Sequence, residues 1–222
     1  MSKKPFIFGC MVVLLILSLS GCEKQNKQYG YTPMFDKLTW GMSLQEVVST
    51  LQLTKQNATI IEAKEDSAYT IVRLNDAYEA YGMKGMVNLL ITDGNLDMQD
   101  ESSYPVNALS AVVLQYDDID VKTLKANMEK ELGKPKSEKT DTSGELITWK
   151  SKDRISSLSK SARKELYAYC NKMEARGNKN LSPKEKSAIN KITLTIKDDK
   201  KAVVTYYGDW AVYINYSRSL KD

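Results

Sequence analysis

Near its C-terminal end the chain alternates, and that alternation limits the fold most. In Lys191 to Lys197 (KITLTIK), Ile192, Leu194 and Ile196 are separated by Thr193, Thr195 and Lys197. Ala202 to Tyr207 (AVVTYY) follows, and Trp210 to Ser217 (WAVYINYS) places Trp210, Val212, Ile214 and Tyr216 opposite Ala211, Tyr213 and Asn215. Asp198-Asp199 and Gly208-Asp209 punctuate the three runs. A period of two predicts strands with one face toward a core and one toward water, an antiparallel meander. On this reading Trp149, Tyr206 and Tyr213 fall on the outer face and make an aromatic surface for a partner.

Earlier segments supply helices and more strands. Ser43 with Glu46 three residues on is a capping box, and Leu44, Val47, Val48 and Leu51 then share one helical face, which predicts a helix over 43–52. Strands are expected at 58–63, 68–74, 85–92 and 108–116. A second helix starts at Asp118 or Asp120, carries Val121, Leu124, Met128 and Leu132 on one stripe, and ends at Gly133 before Pro135. ELITWK at 145–150 reads as a strand, 155–176 as a long charged helix, and Ser182-Pro183 as the start of a short one. The two helix-then-strands patterns begin 77 residues apart, at 43 and 120. The expected fold class is α+β, with two tandem units of a helix plus a four-stranded antiparallel sheet at 36–117 and 118–222. A helical insertion at 155–190 interrupts the second.

The N-terminus carries an address. Lys3 and Lys4 precede an apolar run from Phe6 to Leu17, too short for a comfortable bilayer span, and the run ends at Leu19-Ser20-Gly21-Cys22. This resembles the signal and lipobox of bacterial lipoproteins. The resemblance implies removal of residues 1–21, lipid on Cys22, and a protein held on the extracytoplasmic face of the cell membrane, with the lipid bilayer as its first partner. Stable anchoring needs more than one acyl chain. Residues 22–35, polar and containing Gly30 and Pro33, read as a tether.

Composition removes several function classes. Losing residues 1–21, which hold two lysines and no acid, takes the net charge from +4 to +2, so nothing in the balance favours nucleic acid. The chain has no histidine, which excludes Ser-His-Asp and Cys-His catalysis and His-ligated metal sites. Of three cysteines, Cys10 leaves with the signal and Cys22 takes lipid. Cys170 is left alone on a stripe with Leu158, Ala162 and Leu166, so stability must come from packing rather than disulfides. Asp93, Asn95, Asp97, Asp100 and Glu101 echo the start of a calcium loop, but Met98 and Tyr104 stand where glycine and glutamate belong. Asp117, Asp118 and Asp120 precede a helix, where acids cap amides. Ser156-Ser157-Leu158-Ser159-Lys160 contains the residue types of Ser-Lys catalysis, which a lysine-rich surface helix also supplies. The expectation is no cofactor, no metal and no catalytic residue.

Gly41-Met42-Ser43-Leu44-Gln45-Glu46-Val47 resembles the helix entry of small exported β-lactamase-inhibitor-like domains and of the small lipoprotein of the outer-membrane barrel-assembly machinery. Leu132-Gly133-Lys134-Pro135 resembles the L-G-x-P that closes the helical segment in that superfamily. The resemblance implies helices on one face of a four-stranded antiparallel sheet, sometimes twice in tandem, and a role in binding proteins without catalysis. The function expected is a membrane-anchored, non-enzymatic binding module for a protein or envelope polymer. The alternatives are a structural accessory subunit of an envelope assembly and a Ser-Lys hydrolase.

Overall fold

The computed structural model describes residues 29–63, 69–92, 105, 107–142, 144–174 and 183–219. Within them the class is α+β, with four helices and nine strands in one antiparallel sheet.

The first helix, α1 (Leu44–Thr50), starts as its sequence dictates. The amide of Glu46 donates to Ser43 Oγ, and the Glu46 carboxylate accepts from the Ser43 amide at 2.7 Å. It leads into β1 (Ala58–Ile61), β2 (Tyr69–Leu74), a short β3 (Tyr78–Ala80), β4 (Met83–Thr92) and β5 (Leu109–Tyr116). Then α2 (Val121–Leu132) begins at Asp120, whose carboxylate accepts from the amides of Lys122 and Thr123. The Thr123 hydroxyl donates to the same carboxylate and holds its pKa below the usual aspartate value. The helix stops at Gly133, which takes φ +81°. β6 (Ser137–Asp141), β7 (Gly144–Lys150), α3 (Lys160–Glu174), β8 (Lys191–Ile196), β9 (Ala202–Tyr207) and α4 (Asp209–Ser219) complete the chain.

The strand order is β1-β2-β4-β5-β9-β8-β7-β6, with β3 on β4. β5 is therefore the neighbour of β9, far along the chain, and the two run antiparallel from Ala111–Tyr207 to Tyr116–Ala202. One row of paired residues crosses seven strands: Ile60, Val72, Leu89, Val112, Tyr206, Ile192 and Trp149. All but the edge residue Ile60 are buried. This is the core face, and Val47 of α1 and Val121, Leu124 and Met128 of α2 belong to the same apolar cluster.

That register corrects the outer aromatic face. Trp149 and Tyr206 stand in the core row, and the Trp149 indole N–H donates to the Gly133 carbonyl at 2.8 Å, closing the end of α2. A shift of one residue reverses a strand's faces, and here the shift went against the expected outward side. Tyr213 is buried for another reason: residues 209–219 form a helix, not a strand. Asp209 turns the chain with φ +33°, and the amides of Ala211 and Val212 donate back to Gly208. Ala211 to Ile214 are then buried in succession, with Tyr213 edge-on to Tyr169 of α3 at 5.7 Å between ring centres. Aromatic and β-branched residues favour strands locally, but packing on α3 outweighs that preference.

Other boundaries move as well. The long helix expected over 155–176 is split into a 3-10 turn at Ile155–Ser157 and α3, which Ser159 caps by accepting from the Ala162 amide. Cys170 is buried on α3 with Ala162 and Leu166. No helix follows Pro183: the described residues there form turns, with an isolated bridge from Ala188 to Arg154. β3 and β6 are additional strands. β6, SEKTD, is exposed along its whole length and so shows no alternation to read.

The expected tether over 22–35 ends early. Tyr29 is buried, and Asn190 holds the segment: its side-chain amide donates to the carbonyls of Tyr29 and Tyr31 at 3.0 and 2.8 Å and accepts from the Tyr31 amide at 2.9 Å. The Gly30 amide donates to Asp153 at 2.7 Å, and the Trp40 indole donates to the Tyr31 carbonyl at 2.8 Å. Residues 29–35 thus belong to the folded body.

Candidate functional site

The second face of the sheet carries a different row. Thr59, Arg73, Asn88, Val113, Thr205, Thr193, Thr148 and Ser137 are paired successively across eight strands. At strand spacing this row is about 34 Å long. Seven of its eight side chains end in hydroxyl, amide or guanidinium groups. Arg73 Nε donates to Asn88 Oδ1 at 3.0 Å, which orients both. Exposure falls from the edge residues Thr59 and Ser137, both open, to Asn88, Thr193 and Thr205 in the middle, each under a tenth exposed. The next row on this face, Gln115, Val203, Thr195 and Leu146, is partly or fully open. Strands therefore place hydrogen-bonding groups, all uncharged except Arg73, at regular intervals, with apolar patches between them.

A cleft opens on the core side of the sheet. It has a volume of about 370 Å³ and is lined by the docked N-terminal segment, the β3–β4 turn, the end of α2 and the central strands. Tyr206 lies in its wall, and its hydroxyl meets that of Tyr81 at 2.5 Å. Tyr81 and Gly82 are the two turn residues between Ala80 and Met83, with φ of +55° and +70°, a turn that asks for positive φ at both positions. Tyrosine is an uncommon choice there. It is held by the Tyr206 hydroxyl and by Asn127, whose amide donates to the Tyr81 carbonyl at 2.8 Å. Burial pushes the Tyr206 phenol up to about 12, with the Glu131 carboxylate adding to the shift. Burial also raises Tyr81 and Tyr116, and the neighbouring Tyr206 pushes in the same direction.

The structure does not gather the other sequence candidates. Asp120 caps α2, and Asp118 pairs with Lys200 at 3.0 Å. The Ser157 hydroxyl donates to the Arg154 carbonyl at 2.6 Å, while Ser159 caps α3, so both hydroxyls serve the backbone. Leu19, Ser20, Gly21 and Cys22, and the acidic loop of Asp93, Asn95, Asp97, Asp100 and Glu101, lie outside the described residues. Among the described residues there is no group of three or more potential metal ligands, and no helix is long and apolar enough to cross a membrane. Both surfaces escape sequence reading because their residues are scattered. The cleft joins positions 31, 81, 131 and 206, and only Tyr81-Gly82, placed between two strands, carries a local turn signal. Comparison of the chain with protein-family models, curated proteins and solved structures gives no match.

Proposed function

We infer that the chain is a lipid-anchored, extracytoplasmic, non-enzymatic binding module that receives a protein or envelope polymer on the second face of its sheet. The eight-strand polar row is the observation that carries this reading. Its hydroxyl, amide and guanidinium groups, open toward the two ends of the row, offer hydrogen bonds to an extended ligand. The placement of β5 beside β9, each closing a series of strands that opens on a helix, supports two tandem units at 36–117 and 118–222 whose sheets merge into one platform. Cys22, following Leu19-Ser20-Gly21, supplies the anchor.

Two measurements test the reading. Palmitate labelling should mark the wild-type protein and not Cys22→Ser, which should leave the membrane fraction. A photo-cross-linking residue at Gln115 or Thr195 should capture a discrete envelope component, and the same residue at Lys130, exposed on α2, should not. Equal capture at both places would discard the platform.

A second reading, an accessory subunit of an envelope assembly, draws on the sheet edges. β6 exposes serine, glutamate, lysine, threonine and aspartate, which discourage pairing, whereas edge strand β1 exposes Ile60 and Ile61 at 45% and 37%. A partner strand added to β1 would cover them. Ile60→Lys should then dissociate the assembly and leave cross-linking from Gln115 intact.

A further inference from the structure

We propose that the cleft between the two halves is a binding site for a small organic ammonium ion, a role separate from that of the sheet platform. The proposal starts from charge. Among the described residues, Glu79 and Glu131 are the only carboxylates lining the cleft, no lining residue is basic, and neither glutamate has an ion-pair partner. Glu131 also stands in the last turn of α2, where the carbonyl end of the helix dipole disfavours a carboxylate and favours a cation. Two unmatched sources of negative potential therefore converge on one concavity.

The walls decide the kind of cation. Tyr31, Tyr78, Tyr81 and Tyr206 all line the space. Aromatic rings attract alkylammonium groups through their faces and cover the attached carbons, which a bare metal ion would not use. The few oxygens present come from separate segments, unlike a metal cage. The volume, about 370 Å³, is in the range of small-molecule sites. The floor adds one polar feature. Tyr81 and Tyr206 bring two hydroxyl protons to a single shared hydrogen bond, so one O–H remains to donate. A ligand with an ammonium group and an acceptor oxygen nearby, an amino alcohol for instance, would use both. Such a group exists as a free amine and as a phospholipid headgroup.

The full-length protein in detergent micelles should be titrated calorimetrically with ethanolamine hydrochloride, tetramethylammonium chloride and glycerophosphoethanolamine, with sodium acetate as control. Saturable heat is expected from the organic cations and none from the control. Glu131→Gln should weaken binding about fivefold, and Tyr78→Ala by a similar factor. Glu131 is exposed, so its substitution should leave the melting temperature unchanged or slightly higher. Binding of glycerophosphoethanolamine as tightly as ethanolamine would identify a headgroup source, and binding of ethanolamine alone a free amine. No saturation into the millimolar range by any cation, or unchanged affinity in E131Q, would overturn the proposal.

Discussion

Tyr206 shows how one side chain can be a core residue and a polar one together. Its ring fills the central row of the sheet, and its hydroxyl, with that of Tyr81, is the polar joint between the β3–β4 turn and the second half. Removing the hydroxyl in Tyr206→Phe leaves Tyr81 without its partner and should cost about 1–2 kcal/mol at neutral pH, measured by urea unfolding. The alkaline behaviour should change too. A phenol whose folded pKa lies above its unfolded value of about 10 favours the folded state only while it stays protonated. Its contribution is thus complete below about pH 10 and is lost as the pH rises toward 12, the unfolded chain releasing the proton first. The wild type should lose stability steeply across that window, with part of its phenolate absorbance appearing only on unfolding. Y206F should show a shallower loss, and an equal slope in the two proteins would contradict the buried pair.

At the level of elements, the sequence is most readable where the governing interaction is local. Ser43 with Glu46, and Asp120 with Gly133, announce helix ends because each cap is completed within a few residues. β8 alternates in sequence, Ile192, Leu194 and Ile196 with Thr193 and Thr195, because the first set belongs to the face that packs on the core. β6 has no buried face, and α4 takes its conformation from α3 and Trp40 rather than from its own residues, so neither could be read. The helical state of α4 has a direct test. A methyl group added at Gly208 would stand 2.8 Å from Trp40 Cε3 and collide with Val212, four residues along. Gly208→Ala should cost about 1–3 kcal/mol by overpacking, and Val212→Ala a similar amount through its cavity. Together they should cost about 1 kcal/mol less than the sum, because shortening Val212 makes room for the methyl. Strict additivity in thermal or urea unfolding would mean that 208 and 212 do not face each other, as in an extended strand.

For the molecule as a whole, the docked N-terminal segment would link the fold to the proposed anchor at Cys22. Cys22 is seven residues from buried Tyr29, a reach of at most about 25 Å, so a lipid on that cysteine would keep the folded body close to the bilayer rather than on a long leash. The same segment supplies Tyr31, Thr32 and Met34 to the wall of the cleft, so the cleft exists only while the segment stays docked. Two substitutions should undock it by different routes. Asn190→Ala removes one side chain that makes three hydrogen bonds to Tyr29 and Tyr31, and should cost about 2–4 kcal/mol. Gly30→Ala leaves Asn190 in place but puts a methyl against Asn190 Oδ1 and Ser151 Cβ at φ +68°, a conformation that disfavours any side chain. Limited proteolysis should cut within 29–35 in both variants before the sheet unfolds, and both should lose ammonium binding while cross-linking from Gln115 persists. Loss of the cross-link along with the cleft would show instead that segment, cleft and sheet form one cooperative unit, and the protease would then find no early cut.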